Sequence, residues 1–453
     1  MVKMFKNKKV TIMGLGLHGG GAGVAKFFCE QGADVLITDL KTREQLVRSL
    51  DKLKKYKTIR YRLGEHNKED FINTDLVIKN PAVPAPSPYL KIARDNGVEV
   101  DSDVNLFFKL CEAQIIGVTG TKGKSTVATL ICEFLKTEYK NTILAGNIGV
   151  SPLEFLGKIK KDGRVILELS SFELEDLEKS PYIAVATVIY PDHLDRYDSM
   201  EEYIESKKLI FKYQSQNDYL VLNYDDQIVR SFSNQAQSKV YFFSSKEKQN
   251  GCWLQENKIL FNNELICDIT DFHLVGEHNV SNILAALTVA KILGINNKNI
   301  KKIAKRFKGV ASRQELVAVK KGVKYINDTT ATMPDAVIQA LKTFSNNRII
   351  LVVGGQNKGL QYKELAQKII KTVYKIVLLP GTASNELKKE LSALKYSVEI
   401  ILADSMETAV RKSSQIAKKG DIVLLSPGAA SFNLFKNEFD RGDQFIKYVK
   451  KIE

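Results

Sequence analysis

Residues 117–126 read Gly-Val-Thr-Gly-Thr-Lys-Gly-Lys-Ser-Thr. The apolar pair Ile115-Ile116 precedes them, and 127–135, Val-Ala-Thr-Leu-Ile-Cys-Glu-Phe-Leu, has the composition of a helix. A strand, a glycine loop and a helix start together form a phosphate cradle. The glycines let backbone N–H groups turn inward and the helix N-terminus adds partial positive charge. Lys124 is expected to reach the outer phosphates, and Ser125 or Thr126 to ligate Mg²⁺. The strict G-x-x-x-x-G-K-[ST] spacing would put its first glycine at 118, where this chain has Val. A Gly-Lys-Ser triplet alone is a weak signal. The flanking strand and helix make nucleotide phosphate binding the stronger reading.

The chain of 453 residues is long for one domain, and its length suggests about three. No apolar run approaches the roughly 20 residues of a membrane span, and membrane insertion is not expected. Five cysteines are scattered at 29, 111, 132, 252 and 267, as in a reduced cytoplasm and unlike a disulfide framework or a zinc site. The net charge of +15 comes from lysines spread over many segments, without a basic block interleaved with aromatics. That pattern suits a solvated surface and polyanionic small molecules better than nucleic acid.

Near the N-terminus, 9–13 is a strand, 14–19 fits G-x-G-x-x-G, 20–31 reads as a helix, and 33–39 is a strand ending in Asp39. Dinucleotide folds place a ribose-binding acid about 20 residues beyond the glycines. Residues 14–39 alone therefore allow a nicotinamide-dependent oxidoreductase, or a Rossmann-like half that binds no dinucleotide. Farther on, 164–167 is an apolar run ending in Glu168, a carboxylate at the sheet edge where α/β proteins bind ligands, suited to Mg²⁺. A strand over 182–189 delivers Pro191-Asp192-His193-Leu194-Asp195-Arg196, acids and a histidine suited to metal or proton chemistry. The helix 199–211 carries Tyr203, Lys207 and Ile210 at helical spacing, and 240–270 reads as short strands of an insert. The remaining chain alternates strands and helices. Its loops include Asn327-Asp328-Thr329-Thr330-Ala331-Thr332, Gly354-Gly355-Gln356-Asn357-Lys358-Gly359 and Ser426-Pro427-Gly428-Ala429-Ala430-Ser431-Phe432.

Taken in order, Gly-Val-Thr-Gly-Thr-Lys-Gly-Lys-Ser-Thr, Gly146-Asn147-Ile148-Gly149, Asp192-His193-Leu194-Asp195-Arg196 and the C-terminal Ser-Pro-Gly-Ala-Ala-Ser-Phe with Arg441-Gly442-Asp443 resemble the Mur ligase family, the ATP-dependent amide ligases of peptidoglycan precursor synthesis. The resemblance covers almost the whole chain. It implies an α/β fold of three domains: a Rossmann-like N-terminal domain over 1–111 for the UDP-muramyl substrate, a central P-loop ATPase-type domain over 112–308, and a Rossmann-like C-terminal domain over 309–453 for the amino acid.

The residue roles that follow are implied by the resemblance. Leu15, His18, Asp39 and Asn147 contact the UDP substrate. Gly120, Thr121, Lys122, Gly123, Lys124, Ser125, Thr126, Asn279, Arg313 and Asp328 surround ATP. Asn279 could equally be a helix cap. Ser125, Glu168 and a carbamylated Lys207 hold metal, with Lys208 as the alternative lysine, and His193 stands near the acyl phosphate. Thr332, Lys358 and Ser431 bind glutamate. The C-terminal loop matches the glutamate-adding branch, so the expected reaction joins glutamate to UDP-N-acetylmuramoyl-L-alanine through an acyl phosphate, with ATP and Mg²⁺, in a cytoplasmic enzyme expected to be a monomer. Three departures stand out: Asn80-Pro81-Ala82 for Ser-Pro-Gly, Ser312 for a histidine, and Thr330 for a lysine. The last leaves D- or L-glutamate open, with D-glutamate favoured.

Overall fold

The computed structural model describes residues 3–452 apart from 18, 85, 148, 149, 192–195, 273, 275, 276, 308, 358, 359, 396–398, 432 and 433, and omits the side chains of 48 and 277. His18, His193 and Lys358 therefore lie outside the described residues. The chain divides into two compact units, Met1–Asp271 with His278–Lys305, and Phe272–Glu277 with Arg306–Glu453.

The first unit holds two parallel sheets. In the N-terminal sheet the strands run in the order Arg60–Leu63, Asp34–Asp39, Lys9–Met13, Leu76–Lys79, Glu99–Ser102. All neighbours are parallel. Chain order reverses between Lys9–Met13 and Leu76–Lys79, so the loops leaving those two strands flank the crevice where such sheets bind ligands. The two loops also touch, since Asn80 Nδ2 donates to Gly14 O at 3.3 Å.

The central sheet runs Lys239–Phe243, Tyr219–Asn223, Ile183–Ala186, Gln114–Thr119, Arg164–Glu168, Thr142–Gly146, again all parallel. Its middle strands are near-continuous Ile, Val, Leu and Ala because helices cover both faces. Helix Lys124–Leu135 turns Val127, Leu130, Ile131 and Phe134 fully into the core at helical spacing. Of the insert expected over 240–270, residues 240–243 fall in the parallel edge strand Lys239–Phe243 of the central sheet, and the rest forms a separate antiparallel sheet of Cys252–Gln255, Lys258–Phe261 and Glu264–Asp268. The expected strand over 182–189 pairs only across Ile183–Ala186. Residues 187–190 leave the ladder and bond the phosphate loop instead, as described below.

The second unit is a mixed sheet. Glu315–Lys320 is an antiparallel edge on Val323–Asn327, followed by the parallel strands Ile422–Leu425, Ile349–Val353, Val373–Leu378 and Ile400–Leu402. Arg348 grips Asp421 with two nitrogens at 2.8 and 2.7 Å, tying the strands Ile349–Val353 and Ile422–Leu425 at their starts. All five cysteines are free thiols. Among the described residues no helix is long and apolar enough to cross a membrane.

Candidate functional site

The phosphate loop lies between the strand Gln114–Thr119 and the helix Lys124–Leu135. Gly120 and Gly123 have φ of +139° and +89°, where a side chain is strained. A Cβ on Gly120 would collide with Thr187 Oγ1, and one on Gly123 with Asn282 Oδ1. This close approach seats the loop on the chain leaving the neighbouring strand. Thr121 N donates to Val188 O at 2.7 Å, and Thr187 Oγ1 donates to Lys122 O at 2.6 Å. Lys124 Nζ lies over the loop, donating to Gly120 O at 2.8 Å and Thr121 O at 3.2 Å. Ser125 is buried and Thr126 half-buried at the helix start, while Lys122 is exposed.

Glu168 ends its strand beside Gly146 and Val118 and is 3% exposed. Its Oε1 accepts from Asn147 Nδ2 at 3.1 Å. Its Oε2 is buried with no hydrogen-bond partner among the described residues. An orphaned buried carboxylate oxygen calls for a cation or a donor. Among the described residues no group of three or more His, Cys, Asp and Glu could hold a metal ion. The donor set that fits Mg²⁺ is therefore one carboxylate with loop hydroxyls and phosphate oxygens, all hard ligands.

Lys207 points into this loop. It is 2% exposed, and its Nζ donates to Thr119 Oγ1 at 3.3 Å and Gly120 O at 3.4 Å. Lys208, the alternative, turns outward to Glu205 at 2.6 Å. Tyr203, one helical turn before Lys207, meets Thr121 Oγ1 at 3.0 Å. Nearby, burial pushes the carboxyls of Glu173 up to about 7 and Asp103 up to about 6. Glu173 accepts from both N and Oγ of Ser170, closing a capping box behind Glu168.

In the N-terminal sheet Leu15 and Asp39 are described residues expected at the UDP substrate. Leu15 is 0% exposed and belongs to the core, so its side chain is unavailable to a ligand; Leu17 and Leu40 are the exposed apolar residues there, at 44% and 65%. Asp39 is buried, and its two oxygens accept from Gly16 N at 3.1 Å and Lys41 N at 2.9 Å. The carboxylate thereby organises the turn that follows its strand.

In the second unit Asp328 directly follows the strand Val323–Asn327, 4% exposed, accepting from Ser426 Oγ at 2.8 Å and Gln314 N at 3.2 Å. Burial pushes its carboxyl up to about 7. Thr332 is half-buried two residues beyond Thr330, whose hydroxyl donates to Ser312 O at 2.9 Å. Arg313 lies in the turn just before. Ser431 is 2% exposed, and its Oγ has no hydrogen-bond partner among the described residues. Asn279 lies in the first turn of Glu277–Ile292 and accepts from Asn282, the residue that touches Gly123.

Sequence reasoning gave Arg441 no role. It is fully buried and joins two loops, donating to Thr329 Oγ1 at 3.0 Å, Thr329 O at 2.8 Å and Ala429 O at 3.0 Å. The Arg-Gly-Asp triplet was a pointer: a Cβ on Gly442 would collide with Thr329 Cγ2.

Three family descriptions fit the chain in order: the MurD-like N-terminal domain of Mur ligases at 8–102, the Mur ligase middle domain at 118–290, and the Mur ligase glutamate ligase domain at 312–428. A UDP-N-acetylmuramoylalanine–D-glutamate ligase of Roseiflexus sp. (strain RS-1) is 42% identical over 98% of this chain and 99% of its own length. The chain belongs to the Mur ligase family. The same enzyme of Acetivibrio thermocellus is 38% identical over 100% of this Mur ligase and 98% of its own length. Among solved structures, the UDP-N-acetylmuramate–alanine ligase MurC of Thermotoga maritima shares the fold with a TM-score of 0.63 at 20% identity, over 98% of this chain and 100% of that one. The MurF ligase of the same organism, in complex with ADP, does so at 0.56 and 18%, over 100% and 97%.

Two outcomes follow for this Mur ligase. Lys207→Ala lowers steady-state turnover at least about a hundredfold, as loss of a preorganised charge at a phosphoryl site does, whereas Lys208→Ala, losing a surface pair, stays within about threefold; the reverse ranking refutes the assignment. Asp328, raised from 3.8 to about 7, keeps its proton in the folded protein over a range where the unfolded chain has lost it. Its contribution to stability is whole at acid pH and is lost as pH rises through about 7. Asp328→Asn should therefore gain up to about 3 kcal/mol relative to the parent between about pH 5 and 8 in denaturant titrations; a pH-independent difference contradicts the shift.

Proposed function

We propose that the protein joins D-glutamate to UDP-N-acetylmuramoyl-L-alanine at the expense of ATP, as a monomeric cytoplasmic enzyme. Residues 1–111 take the UDP-muramyl substrate, 112–308 the ATP, and 309–453 the glutamate. The observation that carries the reading is the cluster of Lys124, Lys207 and Glu168 on one glycine loop, within a chain 42% identical to a D-glutamate ligase along its length.

The chemistry follows from these groups. A carboxylate oxygen of the substrate's L-alanine attacks the γ-phosphorus of ATP, forming a C–O–P acyl phosphate as the bond to ADP breaks. Loop N–H groups and Lys124 stabilise the charge that spreads over the transferring group, since phosphoryl transfer is carried by positioning and electrostatics. Ser125, Glu168 and Lys207 as its carbamate would hold Mg²⁺, which supplies further charge neutralisation at the phosphates. His193 is assigned to the acyl phosphate's surroundings. The neutral glutamate amine then attacks the acyl carbon, the C–N bond forms, phosphate leaves with the former carboxylate oxygen, and the nitrogen gives up one proton to solvent and keeps the other as the amide N–H. Thr332, Lys358 and Ser431 orient glutamate through its carboxylates, supported by the orphaned buried hydroxyl of Ser431. Exposed Leu17 and Leu40 join Leu15 as contacts for the uridine, with His18, Asn147 and the turn built on Asp39.

The test is phosphate release with ATP, Mg²⁺ and UDP-N-acetylmuramoyl-L-alanine, adding D- or L-glutamate in separate reactions. Release with D-glutamate alone, lost in Lys124→Ala, is the expected result. Release with L-glutamate alone moves the chain to an L-glutamate-adding variant, and release with neither refutes the amino acid assignment.

A further inference from the structure

The loop 80–84, which leaves the strand Leu76–Lys79, is held from outside by two cations. Arg196 Nη1 donates to Pro81 O at 3.1 Å. Lys79 Nζ reaches Val83 O at 3.5 Å. Both cations are anchored on neighbouring carboxylates just after the helix Ser171–Leu174: Arg196 on Glu175 at 3.2 Å and Lys79 on Asp176 at 2.7 Å. The Arg196 guanidinium also lies 3.8 Å above the ring of Phe172. Tyr197 completes the knot, its hydroxyl donating to the other oxygen of Glu175 at 2.7 Å. Lys79 is 2% exposed, and the Arg196 and Glu175 side chains about one-fifth exposed, at 18% and 21%.

The positions matter more than the pairs themselves. Loop 80–84 flanks the crevice of the N-terminal sheet and touches Gly14 of the glycine loop. Residues 171–176 follow Glu168 and Ser170, at the edge of the phosphate-loop sheet. Arg196 thus joins a wall of one sheet's ligand crevice to the segment that carries the other sheet's acid. Surface ion pairs contribute little to stability. A guanidinium that satisfies a carbonyl and a carboxylate while covering an aromatic face fixes geometry instead.

We propose that Arg196 is a positioning residue that sets the affinity for the UDP-muramyl substrate by clamping loop 80–84 to the end of the helix Ser171–Leu174. It touches neither ATP nor the reacting carboxylate; it acts through the loop. The proposal rests on the functional reading above. Phe172 and Glu175 belong to the same clamp, and Lys79 with Asp176 forms its buried half.

The experiment compares the parent with Arg196→Ala, Arg196→Lys and Glu175→Gln, in steady-state kinetics and in direct calorimetric binding of UDP-N-acetylmuramoyl-L-alanine. Misplacement of a binding wall is expected to raise the KM and Kd for the UDP substrate at least about tenfold in Arg196→Ala, with the KM for ATP within about twofold. Arg196→Lys falls between, because an ammonium can keep Glu175 but cannot also cover Phe172 and reach Pro81. Glu175→Gln gives a smaller effect that does not add to Arg196→Ala in the double variant, since both act through one contact. Unaltered nucleotide affinity checks folding in each case. An Arg196→Ala enzyme that binds the UDP substrate as the parent does, or that weakens ATP equally, overturns the clamp alone. A parent that fails to bind the UDP substrate overturns both the clamp and the functional reading.

Discussion

The constraint on which the rest depends is the contact between Gly120 and Thr187. No Cβ fits between them, so the phosphate loop lies directly on the chain leaving the strand Ile183–Ala186. That seating ends the strand early and spends the backbone of Val188 and Tyr190 and the hydroxyl of Thr187 on the loop. It also brings Thr121 to Tyr203, and with it the helix Met200–Lys208 that carries Lys207. One close approach therefore brings the loop carbonyls and the two lysines together, beside the carboxylate of Glu168 that the sheet pairing places next to Val118.

Buried cations in this protein find two kinds of partner. In the first unit, cations are matched to acids: Lys79 with Asp176, Arg196 with Glu175 and Lys109 with Asp101. Of these pairs, Lys79 with Asp176 crosses between segments about a hundred residues apart, and each pair costs desolvation that packing of apolar groups would avoid. What they provide is a defined relation between the crevice of one sheet and the edge of the other. In the second unit Arg441 meets hydroxyl and carbonyl oxygens and its guanidinium is pushed down to about 10 by burial. Its positive charge lies beneath the loops that bear Thr329 and Ala429, two residues from Ser431. An anionic amino acid benefits from that field.

The phosphate loop and the carboxylate of Glu168 were legible because each is local: a glycine spacing, an apolar run ending in an acid. Lys207 and Lys208 could not be separated by spacing alone, since a helix places neighbours about 100° apart and only packing tells which one faces inward. The burial of the Leu15 side chain was hidden for a related reason. Both it and Leu17 flank Gly16, and only the turn's three-dimensional course buries the first and exposes the second. Asp39 carries the expected spacing of a ribose-binding acid, and no spacing shows that it also ties down Gly16 N and Lys41 N. Arg196 sat inside a recognised motif, yet its contacts with Pro81 and Glu175 join positions 115 and 21 residues away, which no local pattern encodes.

The central claim is that the carboxylate of the UDP-muramyl substrate attacks ATP on this loop. Isotope transfer tests it most directly. With the L-alanine carboxylate labelled at both oxygens with heavy oxygen, the account predicts that each turnover leaves one labelled oxygen in the amide and delivers the other to inorganic phosphate. Amide product formed with unlabelled phosphate would contradict an acyl phosphate, and with it the role assigned to the loop.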